Sequence, residues 1–101
     1  MTATVSPDVV LRAARPDDIP ALAAMIEQAN LPPMFIEEFL GGFLVGERGG
    51  RIVSCGGLEM YGTSAVIRSV VVSPEARGTG LGGRIARVLV DRAREAGATD
   101  A

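Results

Sequence analysis

The chain has 101 residues, 48% of them hydrophobic and 22% charged, which is typical of one small globular domain and excludes a disordered segment. Its formal net charge of −2 argues against a broad nucleic-acid-binding surface, which would be basic overall. No uncharged stretch approaches the ~20 residues that span a bilayer, and no basic region precedes an apolar run at the N-terminus, so we expect a cytoplasmic protein with no nucleic-acid or membrane partner.

The first part of the chain predicts one strand and two helices. Val9 to Leu11 is predicted as a short strand. Arg15 to Asp18 then predicts a helix start, because proline suits the first turn and acidic side chains favour the positive end of the helix dipole. Leu31 to Pro33 ends that helix, and Met34 to Leu40 is predicted as a short second helix. The first helix has apolar residues at i, i+3, i+4 and i+7, namely Ile19, Leu22, Ala23 and Ile26.

Three strands are predicted next. Two apolar runs, Phe43 to Val45 and Ile52 to Cys55, are joined through Arg48-Gly49-Gly50, a pattern typical of a β-hairpin. The pair Gly56-Gly57 predicts a bulge, or a backbone that another group approaches closely. The valine-rich stretch from Ala65 to Ser73 then completes an antiparallel meander.

A last helix follows a glycine-rich loop. Leu81, Ile85, Val88 and Leu89 recur at helical spacing, and Gly97 is predicted to end the helix. Residues 1–101 are thus predicted as a single domain of the mixed α+β class, in the order strand, two helices, three-stranded antiparallel meander, glycine-rich loop and helix.

The loop from Arg77 to Gly83 carries four glycines in its last six residues. A glycine-rich turn that opens a helix directs several backbone N–H groups one way at the positive end of the helix dipole, and the absent side chains let phosphates approach. We therefore predict a phosphate or pyrophosphate site. The alternative is a turn whose glycines serve backbone geometry alone.

Two other phosphate-binding patterns fit this loop poorly. Gly78, Gly80 and Gly83 match the G-x-G-x-x-G spacing of dinucleotide-binding loops, but Ser73 to Arg77 separate the strand from the first glycine, where a dinucleotide turn follows its strand almost directly. The acidic residue of that motif, here Asp100, would also end a second parallel strand, and none is predicted before it. No lysine follows the glycines, which excludes a Walker A loop.

The segment from Val70 to Gly82, with the pattern V-x-V-x-P-x-x-R-G-x-G-L-G, resembles the central motif of the GCN5-related N-acetyltransferase (GNAT) family. Arg77, Gly80 and Gly82 stand at its defining positions. The opening stretch from Leu11 to Pro20 is similar to the family's first strand and helix, except that an arginine at position 15 replaces the usual Ser or Thr cap. The resemblance extends over residues 9–101.

This resemblance implies a GNAT-like acyl-CoA N-acyltransferase fold, and an acetyl-CoA-dependent N-acetyltransferase that acetylates the amine of a small acceptor. In the family, main-chain N–H groups of the loop hold the pyrophosphate of acetyl-CoA, and the strand before the loop pairs its backbone with the pantetheine arm. The implied strand residues are Val70, Val71 and Val72, and the implied loop residues are Arg77, Gly78, Thr79, Gly80, Leu81, Gly82 and Gly83.

Shorter matches concern the acceptor. They resemble the branch of the family that is linked to arsenic-resistance operons, which is similar to amino-acid N-acetyltransferases, so an amino-acid-like acceptor is implied. The matching stretches are Leu31 to Pro33, Glu37 to Phe39, Gly57 to Gly62 and Arg68 to Val70.

Acetyl transfer needs a base for the proton of the attacking amine, and the chain has no histidine to supply it. Glu59 is our candidate catalytic base; the alternative is a solvated glutamate at a hairpin end. Arg68, in an otherwise uncharged strand, is predicted to bind a carboxylate of the acceptor. Its alternatives are a structural pair with Glu59 and an exposed edge position. Tyr61 lies in a predicted turn, and the family's thiolate-protonating tyrosine would lie beyond Ala101, so Tyr61 is assigned no catalytic role.

The single cysteine, Cys55, is predicted as a core residue, because no neighbour in sequence would lower the pKa of its thiol. One cysteine without any histidine gives no pattern of metal ligands, so no metal site is predicted.

In the family, the strand before the loop splays from a fifth strand, of which only Thr99 to Ala101 would be present here. An unpaired valine-rich strand favours association. The chain is therefore predicted to be a fragment or to pair with another chain, as in a homodimer. A non-catalytic acyl-CoA-binding module is the alternative function.

Overall fold

The computed structural model describes residues 9–32 and 36–99, which form four strands and two α-helices. All neighbouring strands are antiparallel, and they lie in the order β1-β2-β3-β4 of a simple meander. The elements are β1 (Val10–Ala13), α1 (Ile19–Gln28), β2 (Phe43–Arg48), β3 (Arg51–Tyr61), β4 (Ser64–Val72) and α2 (Leu81–Glu95).

The two helices cover opposite faces of the sheet. Successive residues of a strand point to opposite faces, and on β2 the side chain of Leu44 packs with α2 while those of Phe43 and Val45 pack with α1. Burying one such leucine or isoleucine side chain contributes roughly 1.5–3 kcal/mol. The fully buried helix residues are Leu22 and Ile26 on α1, and Ile85, Leu89 and Ala93 on α2.

The paired glycines of β3 let both layers approach the sheet backbone. A Cβ atom at Gly56 would lie 2.7 Å from Ile85 Cγ2 and 2.9 Å from Leu89 Cδ1, and one at Gly57 would lie 2.9 Å from the ring of Phe43. The β3–β4 register also shifts between Cys55 and Gly57. The close approach predicted for this pair is therefore confirmed, whereas the extra residue of the bulge lies opposite the pair, on β4.

Glycines also form the turns that the sequence predicts. Gly49 and Gly50 connect β2 to β3 with φ angles of 60° and 81°, the left-handed values that a two-residue type I′ hairpin requires. Helix α2 ends at Gly97, whose φ is 100°. There the N–H of Ala98 donates to Ala93 O at 2.9 Å and the N–H of Gly97 donates to Arg94 O at 3.0 Å, which is a Schellman motif.

The second helix, predicted over Met34 to Leu40, lies partly outside the described residues. In the described part, Ile36 to Phe39 forms turns and Leu40 to Gly42 forms one turn of 3-10 helix, so no α-helix forms there. A segment of this length is marginal as a helix in water, and two glycines at its end weaken it further.

Arg15 provides no side-chain cap for the start of the first helix. A cluster of ion pairs around Arg12 stabilises this helix start instead. The carboxylate of Asp18 accepts a hydrogen bond from the Arg15 N–H at 2.7 Å, and Arg12 binds the same carboxylate through two N–H groups at 2.8 and 3.0 Å. Arg12 Nε also donates to Glu47 Oε1 on β2 at 2.7 Å. The hydrogen bond from Arg12 is the main reason why the pKa of Asp18 falls to about 2.

Candidate active site

The glycine-rich loop is fixed to the end of β4 by its own hydrogen bonds. The N–H of Ser73 donates to Val53 O at 2.8 Å, and Pro74–Ala76 forms a 3-10 turn whose last residue is buried. Beyond it, Arg77 Nε donates to Val72 O at 3.0 Å and Thr79 Oγ1 donates to Ala76 O at 2.9 Å. The loop therefore has a defined path into α2.

Beyond Arg77, this path leaves a row of backbone amides without an acceptor. Gly78 and Gly80 have φ angles of 82° and 78°, which favour glycine and turn the chain so that α2 begins at Leu81. The first helical bond runs from Arg84 N–H to Gly80 O at 3.1 Å. Within the part of the chain that the structure describes, nothing accepts a hydrogen bond from the N–H groups of Gly78, Thr79, Gly80, Leu81, Gly82 or Gly83.

Arg77 departs from the predicted set of amide donors. Its N–H donates to Pro74 O at 3.3 Å, so the free amides begin one residue later, at Gly78. Its guanidinium instead holds the loop against β4 through the bond to Val72 O. The 3-10 turn of Pro74–Ala76 causes this difference, and the loop motif does not predict that turn.

Gly82 differs from Gly78 and Gly80 because its backbone conformation is an ordinary helical one. A Cβ atom there would lie 3.5 Å from Val72 Cγ2, which is normal van der Waals contact. The protein's own packing thus permits an alanine at this position. At Gly78 and Gly80, in contrast, a Cβ atom would have no described atom within 4 Å, so the space beside these two residues is open.

The strand before the loop is the outer strand of the described sheet. One side of β4 pairs with β3, with Val71 opposite Cys55 and Val72 opposite Ser54, and no described strand pairs with its other side. A cleft runs from the C-terminal end of α1 to this strand and the loop. It is lined by Met25, Gln28, Ala29, Val71, Val72, Ser73, Pro74 and Arg77.

A bulge in β4 lies beside a second cleft. Three residue steps on β4, from Arg68 to Val71, face two steps on β3, and Ser69 takes a left-handed φ of 58°. This conformation costs a non-glycine residue roughly 1–2 kcal/mol, and such strain is concentrated at functional sites. Leu31, Pro32 and Val66 line the cleft together with Arg68 and Ser69.

The structure brings Glu59, Arg68 and Tyr61 together on the face of the sheet that carries α1. The side chain of Glu59 is only 3% exposed, and its Oε2 lies 3.2 Å from Arg68 Nε. The hydroxyl of Tyr61 donates to Glu59 Oε1 at 2.7 Å. That hydrogen bond raises the pKa of Tyr61 above its usual value. Glu59 is therefore a buried carboxylate and not the solvated hairpin-end glutamate of the alternative prediction.

Sequence reasoning missed the contact between Tyr61 and Glu59. The two residues stand two apart on β3, and side chains at that spacing share a face of the sheet. The sequence therefore held a signal, but it was hidden because Tyr61 was placed in the turn and not on the strand.

Cys55 lies in the core as predicted. It is fully buried, and burial raises the pKa of its thiol to about 11. Among the described residues, no three of the histidine, cysteine and acidic side chains are grouped so that they could hold a metal ion. None of the described helices is long and apolar enough to cross a membrane.

The sequence was compared with protein families and curated proteins. The model of the acetyltransferase (GNAT) family matches residues 11–101. The chain belongs to this family. A search of the curated proteins found no match.

Several solved structures share the fold of this GNAT chain. The N-acetylglutamate synthase of Neisseria gonorrhoeae, complexed with coenzyme A and N-acetyl-glutamate, is 27% identical with a TM-score of 0.80, over 89% of this chain and 23% of that one. Rv2747 from Mycobacterium tuberculosis, in complex with CoA and NLQ, is 28% identical with a TM-score of 0.78, over 88% of this chain and 60% of that one. The ribosomal-protein-S18-alanine N-acetyltransferase of Escherichia coli is 16% identical with a TM-score of 0.74, over 88% and 61%, and shares the fold alone.

The GNAT motif residues and the predicted acceptor residues form two neighbouring parts of one surface. The free amides lie at the end of β4, and the bulge with Arg68 lies earlier on the same strand. The chain spans only 23% and 60% of the lengths of the first two similar chains. An activity of either protein is therefore only a proposal for this chain.

Proposed function

We propose that this chain carries the acetyl-CoA site and part of the acceptor site of an N-acetyltransferase that acetylates the amine of a small, carboxylate-bearing acceptor. The observation that carries the proposal is the row of six amides at the start of α2 that have no acceptor among the described residues. Backbone N–H groups at a helix N-terminus form a site for phosphate. Membership of the GNAT family makes the diphosphate of acetyl-CoA the expected ligand.

The chain's own residues divide the work of binding acetyl-CoA. The amides of Gly78 to Gly83 would hold the diphosphate, which can approach them through the open space beside Gly78 and Gly80. The outer edge of β4 at Val70, Val71 and Val72 pairs with no described strand and would bind the amides of the pantetheine arm; at Val72 the carbonyl also accepts from Arg77 Nε. Coenzyme A in the complexes of the Neisseria gonorrhoeae and Mycobacterium tuberculosis proteins supports this choice of donor.

Arg68 is suited to hold a carboxylate of the acceptor. Its Nε faces the buried carboxylate of Glu59, while its side chain remains 44% exposed beside the second cleft. The terminal N–H groups of an arginine anchored in this way can bind a ligand carboxylate through two parallel hydrogen bonds. N-acetyl-glutamate in the Neisseria gonorrhoeae complex supports an amino-acid-like acceptor.

In the proposed reaction, the neutral amine attacks the thioester carbon, and Glu59 finally receives the amine's proton. A base contributes about 10²- to 10⁴-fold to such a reaction. Glu59 is buried, so the proton must reach it through an intermediate group and not by direct contact with the acceptor.

The loop assignment is tested by isothermal calorimetry with acetyl-CoA. We expect Gly80→Val and Gly82→Val to abolish binding. The first puts a β-branched residue at a φ of 78° and so changes the path of the amides, and the second adds methyl groups between the amides and Val72. Gly49→Ala is the matched control for Gly80, since Gly49 shares the positive φ but lies in the β2–β3 hairpin. Unchanged affinity in both loop variants would refute the assignment.

A non-catalytic acyl-CoA-binding module is the second candidate. It is favoured by the contacts of Glu59, whose two carboxylate oxygens both face groups of the protein itself. A thiol-release assay with a panel of amino acids separates the two candidates. Binding of acetyl-CoA without release of free CoA would select the module.

A further inference from the structure

The buried carboxylate of Glu59 contacts two partly exposed side chains, those of Arg68 and Tyr61. Its own side chain is 3% exposed, one oxygen faces Arg68 Nε at 3.2 Å, and the other accepts the hydroxyl of Tyr61 at 2.7 Å. Tyr61 is 54% exposed. Of the two, only Tyr61 can pass a proton to Glu59, because a guanidinium does not give up its proton.

We propose that Tyr61 is a catalytic residue that relays the proton of the acceptor amine to Glu59, an inference that rests on the proposed function. As the N–C bond forms, the amine nitrogen gives its proton to Tyr61 Oη while the hydroxyl's own proton passes to Glu59 Oε1. The C–S bond breaks with its electron pair on sulfur, and the CoA thiolate takes a proton from solvent. Glu59 then returns its proton to water through the same hydroxyl.

The chemistry of the hydroxyl suits this task. A phenol O–H can donate and accept at the same time, whereas a carboxylate only accepts. The ring of Phe39 lies 6.0 Å from the Tyr61 ring at an angle of 54°, a tilted aromatic contact that limits the ring's movement.

The charges around the hydroxyl keep it protonated. Among the described residues, Glu59 and Arg68 are the charged groups that act on it: the first raises the pKa of Tyr61 and the second opposes this more weakly. A protonated phenol is the state that a relay requires before the amine arrives.

The contact can be tested without any assay of activity. Tyr61 is the only tyrosine and the chain has no tryptophan, so the ultraviolet absorbance of tyrosinate reports its ionisation alone. We expect Glu59→Gln to lower the pKa of Tyr61 towards its ordinary value of about 10, and Arg68→Gln to raise it. The same pKa in wild type and Glu59→Gln would show that the contact is absent and would overturn the relay.

Kinetics then test the relay itself. We expect Tyr61→Phe and Glu59→Gln each to lower kcat by about 10²- to 10⁴-fold while the affinity for acetyl-CoA stays the same. The kcat of the double variant should be no lower than that of the less active single variant, because both residues serve one proton path. Thr63→Ala, in the adjoining turn, is the control with wild-type kcat.

Two results would overturn the relay on kinetic grounds. One is a Tyr61→Phe enzyme with wild-type kcat and a raised KM for the acceptor, which would limit Tyr61 to packing. The other is a double variant whose losses multiply, which would mean separate roles. A wild-type protein that binds acetyl-CoA but releases no CoA with any amine would instead refute the proposed function, and the relay with it, whatever the absorbance titration shows.

Discussion

Arg68 illustrates how one residue can serve the fold and the site together. Its Nε lies 3.2 Å from a buried carboxylate, and the residue lines a cleft whose other lining residues carry no charge. Leaving Glu59 buried without a cation would be costly, so the pair stabilises the hairpin even before a ligand binds. The two roles separate only when binding of acceptor and donor are measured independently.

We therefore expect Arg68→Ala to raise the KM for a carboxylate-bearing acceptor by about 10-fold or more, because a charge-assisted bidentate contact is lost. The dissociation constant for acetyl-CoA should not change. Steady-state kinetics with calorimetry on the same preparation test this. Loss of both acceptor and acetyl-CoA binding would assign Arg68 to folding alone.

Asp18 allows a prediction about pH. Its pKa falls from 3.8 to about 2 on folding, mainly through the hydrogen bond from Arg12. A depressed pKa contributes stability that is complete above the unfolded value and is lost as the pH falls through the folded value. This carboxylate thus stabilises the protein by roughly 2 kcal/mol at neutral pH.

Urea unfolding of Asp18→Asn tests that contribution. The variant should be less stable than wild type by roughly 2 kcal/mol at pH 7, and the gap should close as the pH falls from 3.8 to about 2. The control is Asp17→Asn, an exposed residue in the same turn of 3-10 helix, which should change little. A gap that persists at the lowest pH would mean that the ion pair is not its cause.

At the scale of elements, the approach of α2 to β3 depends on Gly56. A Cβ atom there would meet Ile85 Cγ2 at 2.7 Å, closer than atoms can pack. Gly56→Ala should therefore cost about 1–3 kcal/mol by overpacking.

Thermal unfolding gives the comparison for Gly56. Gly41→Ala is the matched control, because a Cβ atom at Gly41 would have no described atom within 4 Å and the residue has no positive φ. A Gly56→Ala protein as stable as Gly41→Ala would show that helix α2 sits farther from the sheet.

These elements also show what the sequence can predict. The Gly49-Gly50 hairpin and the Gly97 cap were predictable because a left-handed φ is a local requirement that few residues meet. Helices α1 and α2, one on each face of the sheet, were predictable from the spacing of their buried residues. The short helix predicted over Met34 to Leu40 does not form in the described part of that segment, because helical spacing in so short a stretch does not outweigh the turn at Gly41-Gly42.

The candidate site was predictable in unequal parts. The amides from Gly78 to Gly83 follow from a compact motif that is continuous in sequence. The cluster around Glu59 depends instead on the register between β3 and β4, which is set by the position of the turn after Tyr61. A one-residue shift changes which side chains share a face, so the contacts of Arg68 could be offered only as alternatives.

For the whole molecule, the outer edge of β4 is the surface on which donor binding and self-association would meet. Val66 and Val70 are 39% and 37% exposed on this strand, and its outer backbone groups pair with no described strand. Free strand edges with apolar side chains promote pairing with other chains. We propose that the chain self-associates through this edge.

Acetyl-CoA should then oppose association, because its pantetheine arm is proposed to occupy the same backbone groups. Sedimentation velocity over a range of concentrations should show a dimer that dissociates when acetyl-CoA is added, since a ligand that binds only the monomer shifts the equilibrium by mass action. Val66→Lys should abolish the dimer by placing a charge on the edge. Val10→Lys is the matched control on β1 at the opposite edge of the sheet, where Val10 is 60% exposed. A dimer that resists both acetyl-CoA and Val66→Lys would place the interface elsewhere and would leave β4 free for the donor at every concentration.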